Sequence, residues 1–206
     1  MDNVNVLIIG SGGREHAIAY KIKESKLLKK LYVAPGNSGT NIISNNLNVD
    51  INDYHAIKNI IISKNINLLI IGPEGPLVAG LHDQLSQDKE IQNLQIIGPK
   101  KEGAKLEGSK LFAKNFMKRH NIPTASFKSF EKKNLPEAIK YLDKSNPPFV
   151  IKADGLAAGK GVFICSTLKS AKEVVHDIII KSKFGSAGNK IVIESFLDGI
   201  ELSVFI

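Results

Sequence analysis

The chain has no tryptophan, a single cysteine, two methionines and only 6% aromatic residues among its 206 positions. A core without large rings must be built from Ile, Leu and Val. One cysteine, Cys165, cannot close an internal disulfide, which fits a reducing compartment. It lies in the apolar run "GVFICS" and reads as a small core residue rather than a nucleophile. No apolar run approaches a membrane span. The start, "MDNVNVLIIG", lacks the basic region and long apolar stretch of a signal peptide. A cytoplasmic protein without a membrane partner is expected. The five histidines (His16, His55, His82, His120, His176) show no metal-ligand spacing with Cys165 or one another. Acidic residues are outnumbered 20 to 28, giving a net charge of +8. That excess raises a nucleic-acid reading. The lysines, however, are scattered through helix-like segments such as "YKIKESKLLKK", the pattern of a solvated face, so no nucleic-acid partner is expected.

What is present is alternation. "VNVLIIG" is a short buried strand. "REHAIAYKIKESKLLKK" repeats apolar residues at helical spacing, with Ala17, Tyr20, Leu27 and Leu28 on or near one stripe. "LYVAPGN" is a second strand, "DYHAIKNIIISKN" a helix opened by an aspartate, and "INLLIIGPEGP" a third strand. "LVAGLHDQLSQD" reads as one helix and "LQIIGP" as a fourth strand. This is the signature of an α/β domain with a parallel sheet, covered by helices on both faces. Ligands in such sheets bind beyond the strand C-termini. Near residue 100 the rhythm changes. A basic, helix-rich segment runs to Pro123, and a second, smaller α+β unit follows over about 123–190. "ELSVFI" looks like the start of one more strand. The chain stops inside it, which suggests a truncated piece of something longer.

Two glycine loops stand out. "GSGGREH" follows a strand and opens a helix, so Gly10, Gly12 and Gly13 would let the backbone approach a ligand at the helix N-terminus. The dinucleotide fingerprint fits only partly: Glu15 occupies its third glycine position, and "YVAPGN" offers no acid for a ribose. A ligand-free tight turn is the alternative. "VIKADGLAAGKGV" lies between two strand-like segments. It is not a Walker A loop, because three residues separate Gly155 from Gly159 and Gly161 stands where a hydroxyl belongs. A glycine-rich loop over phosphates remains open, with backbone N–H groups and Lys160 facing the oxygens. Lys152, embedded in "FVIKA", is costly to bury unpaired, and a phosphate would partner it. A solvent-facing lysine is the plainer reading. In "IVIESFLDGIE", a segment leaving a strand could pair its backbone with an adenine edge. Its apolar side chains could cover the base and a carboxylate could bind ribose.

Taken in order, "GSGGREHAIA", "APGNSGT", "GPEGPLVAG", "LEGSKLFAKNFMKRHNIPTA", "VIKADGLAAGKGV" and "IVIESFLDGIELS" resemble the ATP-grasp ligases. Within them the match is to the glycinamide ribonucleotide synthetase (phosphoribosylamine–glycine ligase) family, over nearly the whole chain. The resemblance implies a Rossmann-like N-terminal domain over 1–100, a helical connector over 101–122, a mobile lid over 123–190 and the start of the large ATP-grasp domain over 191–206. It implies that Lys110 and Lys152 contact ATP phosphates. Gly155, Leu156, Ala157, Ala158, Gly159, Lys160 and Gly161 would form the lid loop. Glu194, Ser195, Phe196 and Leu197 would form the adenine hinge, and Glu201 would bind ribose. Gly10, Gly12, Gly13, Asn37, Gly72, Pro73 and Glu74 would face the phosphoribosylamine. No catalytic side chain is named. The cofactors implied are ATP and Mg2+, with the metal ligands and the glycine site expected beyond residue 206. The implied reaction joins glycine to 5-phosphoribosylamine through a glycyl phosphate in purine biosynthesis. On that reading the 206-residue chain is inactive alone, and the protein is a monomer. A different ATP-grasp carboxylate ligase, or a non-catalytic nucleotide-binding fragment, would share these features.

Overall fold

A computed structural model describes residues 4–204. The chain divides into two compact units between Lys105 and Leu106.

The first unit is a five-stranded parallel sheet of order β3-β2-β1-β4-β5. Its strands are β1 (Val4–Gly10), β2 (Leu28–Pro35), β3 (Asn45–Asn46), β4 (Leu68–Ile71) and β5 (Gln95–Ile97). Helices α1 (Gly13–Lys23), α2 (Ser38–Ile43), α3 (Tyr54–Ser63), α4 (Glu74–Ala79) and α5 (Leu81–Gln87) fill the connections, and α6 (Lys101–Gly108) follows β5 and runs across the division in the chain. Strand β1, apart from Asn5, and strand β4 are apolar without alternation because both faces are covered. Leu7, Ile9, Leu69 and Ile71 pack with Ile57, Ile61 and Leu85 on one side. Val6, Ile8 and Ile70 pack with Ala19, Ile18 and Ile22 on the other. The strand order reverses at β1, the position where such sheets open a crevice.

Three expectations for this unit are corrected. The first helix ends at Lys23, not near Lys30. Ser25 N–H bonds to Ile22 O and Val4 N–H to Leu27 O, and Leu28 pairs with Val4, so the sheet edge captures the end of the apolar pattern. Ala17, Tyr20 and Leu27 are exposed, and the face that packs on the sheet is Ile18, Ala19 and Ile22. "LVAGLHDQLSQD" is two helices, broken at Gly80, whose φ of +99° caps α4. Strand β3 and helix α2 were not foreseen.

The second unit contains α7 (Lys110–Arg119), β6 (Phe127–Glu131), α8 (Leu135–Asp143), β7 (Phe149–Ala153), β8 (Val162–Cys165), α9 (Leu168–Ile179) and β9 (Lys190–Ser195). Its antiparallel sheet has the order β6-β9-β7-β8. Phe130, Phe149, Ile151, Ile191 and Ile193 line one face and pack on Leu142, Ala171, Val175 and Ile178 of α8 and α9. Cys165 belongs to the same core, where burial pushes its thiol pKa up. The boundary drawn at 190/191 falls inside this sheet. Strand β9 is hydrogen-bonded on both sides, to β6 and β7, so it completes the unit rather than opening another. Residues 201–204 of "ELSVFI" form no strand and are exposed, which corrects that expectation; Phe205 and Ile206 lie outside the described residues.

Candidate functional site

In the first unit the loops after β1, β2 and β4 converge. Gly36 N–H bonds to Gly10 O at 3.1 Å, and Gly72 N–H to Ile9 O at 3.0 Å. Beneath them lies Glu15, only 4% exposed. Its Oε2 accepts from Gly12 N–H at 2.7 Å, and its Oε1 from Arg14 Nε at 3.0 Å. Arg14 Nη2 also donates to Gly72 O. A Cβ added to Gly72 would stand 2.3 Å from Glu15 Oε1, and one on Gly10 would stand 2.6 Å from Glu15 Cγ. Two of the loop glycines therefore make room for this carboxylate. For Gly10 this adds a packing reason beside the expected approach of a ligand. Gly13 is different: it is exposed and has nothing within 4 Å of an added Cβ.

Asn37 caps α2, its Oδ1 accepting from Thr40 N–H at 2.9 Å. Its Nδ2 donates to Ser11 O at 2.8 Å, tying the second loop to the first. Pro73 caps α4 and Glu74 opens it, within 4.0 Å of Arg14. The structure thus brings Gly10, Gly12, Gly13, Asn37, Gly72, Pro73 and Glu74 to one end of the sheet. Sequence reasoning missed Glu15 as their brace. Its signal was present as a mismatch: a carboxylate three residues after Gly12, where a capping helix residue reaches back to the loop.

In the second unit the face of the sheet opposite α8 and α9 carries the chemistry. Residues directly opposed in antiparallel strands share a face. One row runs Ile164, Val150, Glu194, Phe127, and the next Val162, Lys152, Val192, Ser129. Lys152 and Glu194 are therefore diagonal neighbours, and Lys152 Nζ reaches Glu194 Oε2 at 3.0 Å. The phosphate expected as the partner of Lys152 is not needed to offset its burial, since a carboxylate already sits there. Helix α7 adds Lys110 and Lys114, one turn apart on one side of the helix. Lys114 Nζ bonds to the same Glu194 Oε2 at 2.8 Å. Glu194 Oε1 is buried and has no hydrogen-bond partner.

Lys110 Nζ donates to Gly155 O at 3.1 Å. Burial pulls the pKa of this ammonium down, and the Asp154 carboxylate nearby opposes that only in part. Asp154 ties the helix to the loop. Its backbone O accepts Lys110 N–H at 3.1 Å, and its carboxylate accepts Leu111 N–H at 2.7 Å and Ser109 Oγ–H at 3.0 Å. Both Asp154 and Lys114 escaped the sequence reading. The i, i+4 spacing of Lys110 and Lys114 was the available signal for the second.

The loop of residues 155–161 joins β7 to β8 as a hairpin. It is anchored at both roots. Gly155 N–H bonds to Ala187 O, and a Cβ there would come within 2.8 Å of Ala187. Gly161 O accepts from Ala153 N–H, and a Cβ on Gly161 would meet Ala157 at 2.7 Å. Ala158, Gly159 and Lys160 form the exposed tip, with φ of +47° at Ala158 and +75° at Gly159. Leu156 and Ala157 are half-buried. Ser195 ends β9 and Phe196, Leu197 and Glu201 follow it; all four are exposed. Among the described residues no group of three or more His, Cys, Asp or Glu could hold a metal ion. No helix there is long and apolar enough to cross a membrane.

Comparison with known proteins gives a consistent answer. The family model described as phosphoribosylglycinamide synthetase, N domain, matches residues 4–107, and that family's ATP-grasp (A) domain matches residues 108–206. A phosphoribosylamine–glycine ligase of Haemophilus influenzae is 46% identical over 205 residues, covering 98% of this chain and 46% of that protein. One from Escherichia coli K12 is 45% identical over the same shares. The chain spans about half the length of the curated relatives it matches. The crystal structure of phosphoribosylamine–glycine ligase from Thermotoga maritima superposes with a TM-score of 0.72 at 35% identity, over 96% of this chain and 45% of that one. A biotin carboxylase domain of Hydrogenobacter thermophilus 2-oxoglutarate carboxylase, in complex with MgADP, shares the fold alone: TM-score 0.70, 18% identity, 96% of this chain and 45% of that one. The chain belongs to the phosphoribosylglycinamide synthetase family.

Proposed function

We propose that this chain supplies the ATP-facing lid and the ribosylamine-facing loops of a phosphoribosylamine–glycine ligase. The whole protein would join glycine to 5-phosphoribosylamine at the expense of ATP. The observation that carries the reading is one sheet face on which two partly buried lysines meet a glycine hairpin and a carboxylate with an unused oxygen. Lys152 spends one of its three N–H donors on Glu194 and keeps two for phosphate oxygens. Lys110 is a cation with its pKa lowered by burial, a condition that an anionic ligand relieves. Val162 and Ile164 are exposed on this face and offer an apolar wall to a base. Glu194 Oε1 would accept from an adenine amino group. The tip at 158–160 would fold over the phosphates.

Activating a carboxylate with ATP makes an acyl phosphate that a ribosylamine nitrogen can attack. Such transfers are governed by positioning and charge neutralisation. This chain's share is to hold the phosphates with Lys110 and Lys152 and to exclude water with the hairpin. In the first unit, Gly13 N–H at the start of α1 would meet the phosphate of the ribosylamine. These loops and the lid belong to a cytoplasmic enzyme on this reading.

The test is ATP binding to this chain, followed by hydrogen exchange. ATP should protect the amides of residues 157–160, while those of Ala153 and Gly155 are already protected without it. Lys152→Ala should weaken ATP binding about 10- to 100-fold, the worth of a hydrogen bond to a charged group. Wild-type affinity in that variant, with no protection at the tip, would overturn the proposal.

A further inference from the structure

Lys114 is the one lysine of the buried cluster to which the motifs assign no role. It is 7% exposed, and every partner of its ammonium is accounted for. Nζ donates to Thr124 Oγ1 at 2.7 Å and to Glu194 Oε2 at 2.8 Å, and stands 5.9 Å from the centroid of the Phe127 ring. Lys152 approaches the same Oε2 at 3.0 Å. Two cations from different elements, a helix and a strand, therefore converge on one carboxylate oxygen. The other, Oε1, is buried without a partner. A fold gains nothing by leaving a buried acceptor unused. The arrangement makes sense if a ligand supplies the missing donor.

We propose that Lys114 is a positioning residue that sets the nucleobase selectivity of this face by locking the Glu194 carboxylate in one orientation. The inference rests on the reading of the face as a nucleotide site. Its chemistry is as follows. A carboxylate only accepts hydrogen bonds. Adenine presents an amino donor at position 6. Hypoxanthine and guanine present an oxygen there, which a fixed Oε1 repels. Both of those bases also carry an N1–H donor beside that oxygen, and a carboxylate free to turn could reach it. Discrimination therefore depends on the carboxylate being held, not merely on its being present. Lys152 alone cannot hold it, because a lysine stem on a strand follows its partner. Lys114 can, since Thr124 Oγ1 holds its ammonium as a second partner.

The experiment compares ATP with ITP, which differ at the 6-position and N1. Each displaces a ribose-labelled fluorescent ATP from this chain, and the ratio of the two affinities is read. Wild type should favour ATP by about 10- to 100-fold, the worth of one charge-assisted hydrogen bond. In Lys114→Met that ratio should fall below about 3-fold. Thr124→Val should lower it part-way, since Lys114 then keeps Glu194 but loses its anchor. Circular dichroism establishes that each variant is folded, and should Lys114→Met not fold, Thr124→Val decides. Equal weakening of both nucleotides would mean a purely structural lysine and overturn the inference. So would an unchanged ratio, or a wild type indifferent to the base. In each of those cases the nucleotide site itself would stand. A wild type that binds no ATP would overturn the nucleotide reading, and this inference with it.

Discussion

Asp154→Ala should loosen the first turn of α7 by about 2 kcal/mol, without touching the core. A helix start leaves four N–H groups without intrahelical partners. Here Ser109 Oγ accepts Phe112 N–H at 3.1 Å, and Asp154 accepts Leu111 N–H at 2.7 Å. The Asp154 carboxylate also orients the Ser109 hydroxyl at 3.0 Å, so it supports both acceptors. Losing a capping side chain costs about 1 kcal/mol, and a hydrogen bond to a charged acceptor is worth roughly 1.5–3 kcal/mol. Asp154 is half-exposed, so water recovers part of the sum, which brings it to about 2 kcal/mol. Two compact units need not unfold together, and a global midpoint would blur the effect. Native-state hydrogen exchange reads it locally. The Leu111 amide should exchange about 30-fold faster, at 1.36 kcal/mol per decade. The Lys110 amide is the internal control for backbone displacement, because its acceptor is the Asp154 carbonyl, which alanine retains. Asp154→Asn keeps an acceptor but loses the charge and should give about half the change in free energy. Unaltered exchange at Leu111 in Asp154→Ala would show that solvent replaces the carboxylate at no cost, and the bracing argument would fail.

Two further outcomes follow from the first unit. Gly72→Ala places a Cβ 2.3 Å from Glu15 Oε1, and Glu15 is pinned by Gly12 and Arg14. It should lower stability by about 1–3 kcal/mol in a thermal melt. The same change in a Glu15→Ala background should cost little more, and equal costs in the two backgrounds would refute the clash. Asp88 accepts hydrogen bonds from Lys58 and Tyr54, and these lower its pKa from 3.8 to about 2. A depressed carboxylate contributes stability that is present above its unfolded pKa and lost as pH falls through the folded one. Unfolding of this unit should therefore ease between about pH 4 and pH 2, less steeply in Asp88→Asn; identical acid profiles would rule the contribution out.

The parallel sheet was legible because its evidence is local. Apart from Asn5 and Asn67, "VNVLIIG" and "INLLIIG" are apolar without alternation, which demands cover on both faces, and clusters of Ile and Leu are what the two helical layers deliver. Boundaries were less legible. Leu27 and Leu28 continue a helical spacing, yet Leu28 belongs to β2, because pairing with Val4 outweighs a weak local preference. The position of β9 was hidden for a related reason. Its neighbours β6 and β7 are separated from it in sequence by long stretches, and no local pattern records which strand edges will meet.

The candidate site divides along the same line. The glycine hairpin and Lys110, Lys152 and Glu194 are recognisable one at a time. Their relation is not: Lys152 faces Glu194 only because Val150 sits opposite Glu194 in the β7–β9 register. Shifting that register by one residue would send Glu194 to the apolar face and leave both lysines without their carboxylate. The buried cluster therefore holds the register as much as the register builds the cluster. Glu15 shows the converse case. Judged as part of a dinucleotide fingerprint, it was a defect. In the fold it is the brace that occupies the space left by Gly10 and Gly72, so a departure from one motif became the foundation of another.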